Sequence, residues 1–169
     1  VTAPNSPSAS GAAFTTQPAV QRRDAQGNPV LVSGATITAS VPAPYVLVGT
    51  TTASTAATGT ATFANLGVSG PAGAVTITFS SAGVTSATAN VTVTAGTAAQ
   101  LAVVTAPSST SPSGTPFATQ PAVQRQDAQG NPVLVGGVTT TASVPAPYTL
   151  VGTTTATAAA SGTATFANL

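Results

Sequence analysis

The chain has 169 residues, a formal net charge of +1 and only 3% charged residues, against roughly 25% in ordinary soluble domains. Arg22, Arg23, Arg125, Asp24 and Asp127 are the whole ionic inventory, so neither nucleic acid nor an anionic membrane finds a basic face to hold. With no His, Cys or Glu, a Ser-His-Asp triad, a zinc site and a paired-carboxylate glycosidase are excluded within one chain, and neither catalysis nor a cofactor is expected.

The stretch QPAVQRRDAQGNPV, Gln17 to Val30, returns as QPAVQRQDAQGNPV, Gln120 to Val133, an offset of 103 residues. The offset carries Val1 onto Val104 and Leu66 onto Leu169 without a gap. A repeat on the order of 100 residues is one globular domain, not a solenoid turn of about 20 to 50. The boundaries follow as 1–97 and 98–169, with the joint at the AGTAAQ stretch near Gly96.

In chain order, Val1 reads as the end of a strand, because Val104 closes the run Gln100-Leu101-Ala102-Val103-Val104. The Pro/Ser-rich segments Ala3 to Gly11 and Ala106 to Gly114 read as ordered crossing loops or stiff extended pieces. A strand is expected over Ala19 to Asp24, then a turn in which Gly27 takes positive φ, Asp24 accepts from turn amides and Pro29 opens the next segment. An exposed pairing of Arg22 with Asp24 is also expected. Ala35 to Val41 alternates apolar with hydroxyl residues, the period of a half-buried strand. Tyr45 to Val48 followed by Thr50 to Thr52 gives a further short strand or edge segment, whereas Ala53 to Ala57 is too short for a helix and reads as loop.

Alternation resumes over Gly59 to Leu66, and Gly70-Pro71-Ala72-Gly73 suits a type I turn. Val75 to Phe79 is the cleanest strand, with Val75, Ile77 and Phe79 inward. The last strand, Ala87 to Thr94, points Ala89, Val91 and Val93 inward. Phe14, Phe63, Phe79, Phe117 and Phe166 are expected in cores. Seven or so short strands separated by Gly/Pro corners within about 100 residues predict an all-β, immunoglobulin-like β-sandwich for each copy.

The second copy is unfinished: Gly67 to Gly96 occurs once, so Val75, Ile77, Phe79, Val91 and Val93 have no counterparts. At about 1.5 to 3 kcal/mol per buried side chain, the deficit is on the order of 10 kcal/mol, comparable with a domain's whole stability. Residues 104–169 alone are therefore not expected to fold stably. They call for a following segment of a longer chain or a strand from a neighbour, and the chain reads as a window cut from a longer array. No signal-peptide pattern opens the sequence, and no run of about 18 apolar residues forms a membrane span.

DAQGNPV, GTATFANL, VTITFSSAGVTSAT and VTVTAGTAAQLAVVTAP resemble the bacterial immunoglobulin-like repeats of large surface proteins, the kind found in invasin- and intimin-like adhesins. The resemblance spans both copies. It implies secretion to the cell surface or beyond, tandem beads, and a stalk, spacer or filament role without catalysis. Low charge further predicts that self-association meets little Coulomb opposition. The alternative is an adhesin module for glycan or a host surface, with Tyr45 and Tyr148, each after Pro-Ala-Pro, as candidate stacking platforms; a ring packed on the domain is the commoner use of such a tyrosine. Asn90-Val91-Thr92 is a glycosylation sequon on an outward strand position.

Overall fold

A computed structural model describes residues 2–169, and the expectation for Val1 lies outside the described residues. The chain is all-β, with no helix among the described residues. It divides into two compact units, one ending at Gly96 and the other beginning at Thr97.

The first unit holds β1 (Ser8–Ala9), β2 (Ala19–Gln21), β3 (Thr36–Ser40), β4 (Val46–Val48), β5 (Thr52–Ser54), β6 (Thr60–Thr62), β7 (Gly67–Ser69), β8 (Gly73–Ser80) and β9 (Ala87–Thr94). Five of these form one sheet in the order β1-β9-β8-β3-β5, and β2-β6 and β4-β7 form two antiparallel pairs. The backbone of the large sheet is the β8–β9 hairpin, in register from Gly73 opposite Val93 to Phe79 opposite Ala87. Alternation decides which side faces in: Val75, Ile77 and Phe79 on β8 and Val91 and Val93 on β9 are buried, while Thr76, Thr92 and Thr94 are exposed. Val20, Ala61, Phe63, Leu66 and Val68 complete the same core from the β2-β6 and β4-β7 side, so the unit has two layers. The Phe63 and Phe79 rings meet across it at 5.2 Å and 54°, within the tilted geometry aromatic pairs favour.

Two readings of the first unit change. Thr52–Ser54, at the edge of the Ala-rich loop reading, is a strand because β3 supplies its partners, Ile37 opposite Ala53. The Pro/Ser segment contains β1, which runs parallel to β9 with Ser8 opposite Val93. Thr2 first bridges to Ala19, and the chain then crosses to the other sheet.

The second unit holds β10 (Gln100–Thr105), β11 (Ala122–Gln126), β12 (Thr139–Thr141), β13 (Thr155–Thr157) and β14 (Thr163–Thr165), paired as β10-β11-β14 and β12-β13. By the 103-residue offset, β11, β12, β13 and β14 repeat β2, β3, β5 and β6. Residues 149–151 and 111–112, which correspond to β4 and β1, form no strand. The cause is pairing: β4 takes its hydrogen bonds from β7 and β1 takes its own from β9, and both partners lie in the stretch that occurs once. The second core is correspondingly smaller, built on Ala156, Ala158, Ala164, Phe166 and Leu169, with Phe117 only partly buried. Phe14, Phe63, Phe79 and Phe166 are buried as expected.

Some local devices are built twice. Gln17 Nε2 donates to the Phe14 and Leu66 carbonyls while its Oε1 accepts from Leu66 N–H. Gln120 does the same between Phe117 and Leu169. Gly49 and Gly152 sit at φ 78° and 79°, and a Cβ there would stand 1.7 Å from Asn65 O and 1.5 Å from Asn168 O, so only glycine lets the chain pass.

Candidate interaction surface

Tyr45 and Tyr148 follow the same Pro-Ala-Pro and share the same turn, each N–H donating to the proline carbonyl three residues back at 3.1 Å. Their side chains meet different surroundings. Tyr45 is half-buried and packs at the margin of the first core. A Cβ added to Gly70 would lie 2.5 Å from its Cδ1, and one added to Gly73 would lie 3.3 Å from its Oη, so the ring rests on the Gly70–Gly73 turn. Tyr148 is 73% exposed. In the second copy the covering turn has no counterpart, which accounts for the difference.

The Asp24 turn is a closed hydrogen-bond unit. Asp24 Oδ1 accepts from the N–H groups of Gln26 (3.0 Å) and Asn28 (2.7 Å), and Oδ2 accepts from Asn28 Nδ2 (3.0 Å). These bonds, the Asn28 side chain foremost, hold the carboxyl below the usual range. Asp127 repeats the arrangement with Gln129 and Asn131, at 2.9, 2.9 and 2.8 Å. The expected Arg22–Asp24 pair is replaced: Asn28 and the turn amides take the carboxylate, and Arg22 Nη2 donates to Ala82 O at 3.1 Å. No group of three or more metal-ligating side chains occurs among the described residues.

A cleft of about 640 Å³ opens in the first unit between that turn and the β8–β9 loop. Val20, Ile37 and Phe79 line it, with Arg22 and Asp24 also at its wall. The Nε of Arg22 is buried with no hydrogen-bond partner.

A further surface was not singled out from the sequence. After each Asn-Pro turn, Leu31 and Val32 are 69% and 45% exposed, and Leu134 and Val135 are 69% and 48% exposed. The run Pro-Val-Leu-Val was its signal, because four successive residues without a polar alternate cannot all face inward on one strand. An apolar pair left in water at equivalent places in both copies is a surface feature that recurs with the repeat. Asn90 is exposed on β9, where Thr76 Oγ1 donates to its Oδ1 at 2.8 Å.

No family model matches the chain, and neither a curated protein nor a solved structure matches it. No helix is long and apolar enough to cross a membrane among the described residues.

Proposed function

We propose that both units are of the immunoglobulin-like β-sandwich type, and that the chain belongs to a tandem array serving outside the cell as a stalk, spacer or filament subunit. The observation that carries this reading is duplication at atomic detail: the same strands, Gln buttress and Asp-Asn turn occur 103 residues apart. Two layers around one core in the first unit support the sandwich reading. A chain with five charged residues in 169, carrying Leu31-Val32 and Leu134-Val135 outward, supports lateral association of neighbouring copies. Electron microscopy of the native material tests the proposal: beaded rods or bundles with one bead per repeat are expected, and dispersed single beads would refute the filament form.

A second reading is a glycan-binding module. It rests on Tyr45 and Tyr148, the aromatic rings that follow Pro-Ala-Pro in the two copies. Glycan-array binding that Tyr148→Ala abolishes would establish it, and an array without signal would remove it.

A further inference from the structure

One sheet edge is open in both units. In the first, the large sheet runs β1-β9-β8-β3-β5 and stops at β5; in the second, β13 pairs with β12 and has no strand on its other side among the described residues. β8 adds on the far side of β3, and β10 adds to β11, in the sheet that does not contain β13. A strand of either kind therefore leaves this edge as it is.

The ladder shows which groups face outward. Ala39 N–H donates to Thr51 O at 2.8 Å and Thr55 N–H donates to Ala35 O at 2.9 Å. Thr51, Ala53 and Thr55 thus turn their backbone groups to β3, and Thr52 and Ser54 turn theirs away from it. In the second unit Ala142 N–H donates to Thr154 O and Ala158 N–H to Val138 O, both at 2.8 Å, which leaves Thr155 and Thr157 outward by the same alternation. Sheets guard such edges with Lys, Pro or an inward charge. Neither TTTASTAAT, residues 50–58, nor TTTATAAAS, residues 153–161, contains one.

An exposed apolar pair stands at the end of the same strand. Thr55, the residue after β5, donates its hydroxyl to Val32 O at 2.6 Å, which sets Leu31 and Val32 beside the edge. In the second unit a Cβ on Gly136 would lie 3.1 Å from the Ala159 carbonyl carbon, which sets Leu134 and Val135 in the equivalent place. Exposure matches between the units, 69% for both leucines and 45% and 48% for the valines, so it does not follow from the strands in which the units differ.

We propose that this edge and its apolar pair form the surface on which a second copy of this chain docks, β5 pairing antiparallel with β5 and β13 with β13. The inference rests on the lateral association in the reading above and names its site. Pairing centred on Ala53 puts Thr52 of one copy opposite Ser54 of the other, twice about a two-fold axis, so that every outward N–H meets a C=O. The edge is its own complement, which makes a copy the fitting partner. Charge does not oppose the contact, because Arg22, Arg23 and Asp24 follow β2 in the other layer.

The test follows sedimentation and hydrogen exchange of the full 169-residue chain across a concentration series. The amides of Thr52, Ser54, Thr155 and Thr157 report on this edge alone, because neither β3 nor β12 takes their hydrogen bonds. Association with about tenfold slower exchange at these amides is expected. Thr52→Pro with Thr155→Pro removes only outward N–H groups, which edge strands tolerate, and is expected to abolish association and the protection at Ser54 and Thr157. Ser54→Lys with Thr157→Lys, at exposed positions, is expected to do the same with the backbone intact. A chain that stays monomeric throughout the series, association without protection at these amides, or unaltered association of both double variants overturns the proposal. Rods in micrographs with these amides unprotected would discard the edge and keep the array reading, and protected amides without rods would do the reverse.

Discussion

The Tyr45 ring occupies the space that a side chain on Gly70 would need, with Cδ1 only 2.5 Å from the position of a Cβ there. Gly70→Ala must therefore displace either the ring or the turn, and overpacking of this kind costs about 1 to 3 kcal/mol. Equilibrium urea unfolding of the full chain is expected to show that loss in the first unit's transition. Combining Gly70→Ala with Tyr45→Ala is expected to recover part of it, because the two sites share one contact.

Thr55 is buried, and its hydroxyl donates to Val32 O at 2.6 Å and accepts from Ala35 N–H at 3.0 Å. Ala158 holds the equivalent place, where only backbone bonds to Gly137 and Val138 remain. Thr55→Ala strands a carbonyl and an amide, at a cost of about 1 to 3 kcal/mol. Thermal unfolding of that variant is expected to lower the first unit's midpoint, and Ala158→Thr is expected to raise the second's.

Asp24 has its folded pKa lowered by the Asn28 side chain and then by the Asn28, Gln26 and Gly27 backbone. A depressed folded value means the carboxylate's contribution is complete above the ordinary aspartate range. It fades as pH falls below that range and through the lowered value. Asn28→Ala is expected to move the Asp24 titration upward in a carboxyl-carbon NMR experiment and to reduce the acid sensitivity of this turn.

Leu31 and Leu134 are each 69% exposed and hold no core position. The double variant Leu31→Ser, Leu134→Ser is expected to change stability by less than about 0.5 kcal/mol. Its sedimentation profile is expected to show less self-association than the parent at equal concentration, whereas an unchanged profile would assign association to another face.

Residues 104–169 as an isolated fragment are expected to show no cooperative thermal transition. Without β10 in full and without counterparts of β7 to β9, the core that remains rests on three alanines, Phe166 and Leu169. A sharp monomeric unfolding curve for the fragment would contradict this.

What could be read beforehand depended on whether the cause of a structure lay nearby in the chain. The Val75 to Phe79 alternation and the Ala87 to Thr94 strand are legible because each residue's side is set by its neighbours. Asp24 as a turn acceptor was legible too, through the Asx geometry of its own backbone. Ser8–Ala9 was not, since it is a strand only by virtue of β9, more than 80 residues later. Thr52–Ser54 likewise depends on β3. The Arg22–Asp24 pairing failed on competition: Asn28 reaches both carboxylate oxygens at 2.7 and 3.0 Å through its backbone and side chain. Tyr45 and Tyr148 are the clearest case, because the same local sequence gives a covered ring and an open one, and only the Gly70–Gly73 turn distinguishes them.

The parallel pairing of β1 with β9 gives the first unit a particular response to tension. Ser8 lies beside Val93 and Ala9 beside Thr94, with Ser10 N–H donating to Thr94 O at 2.9 Å. Force applied through the two ends of the unit slides these strands lengthwise past each other, so the bonds of the clasp bear load together instead of opening one after another. Rupture under pulling is then a question of rate more than of equilibrium stability, governed by the place where the unit's first and last strands meet.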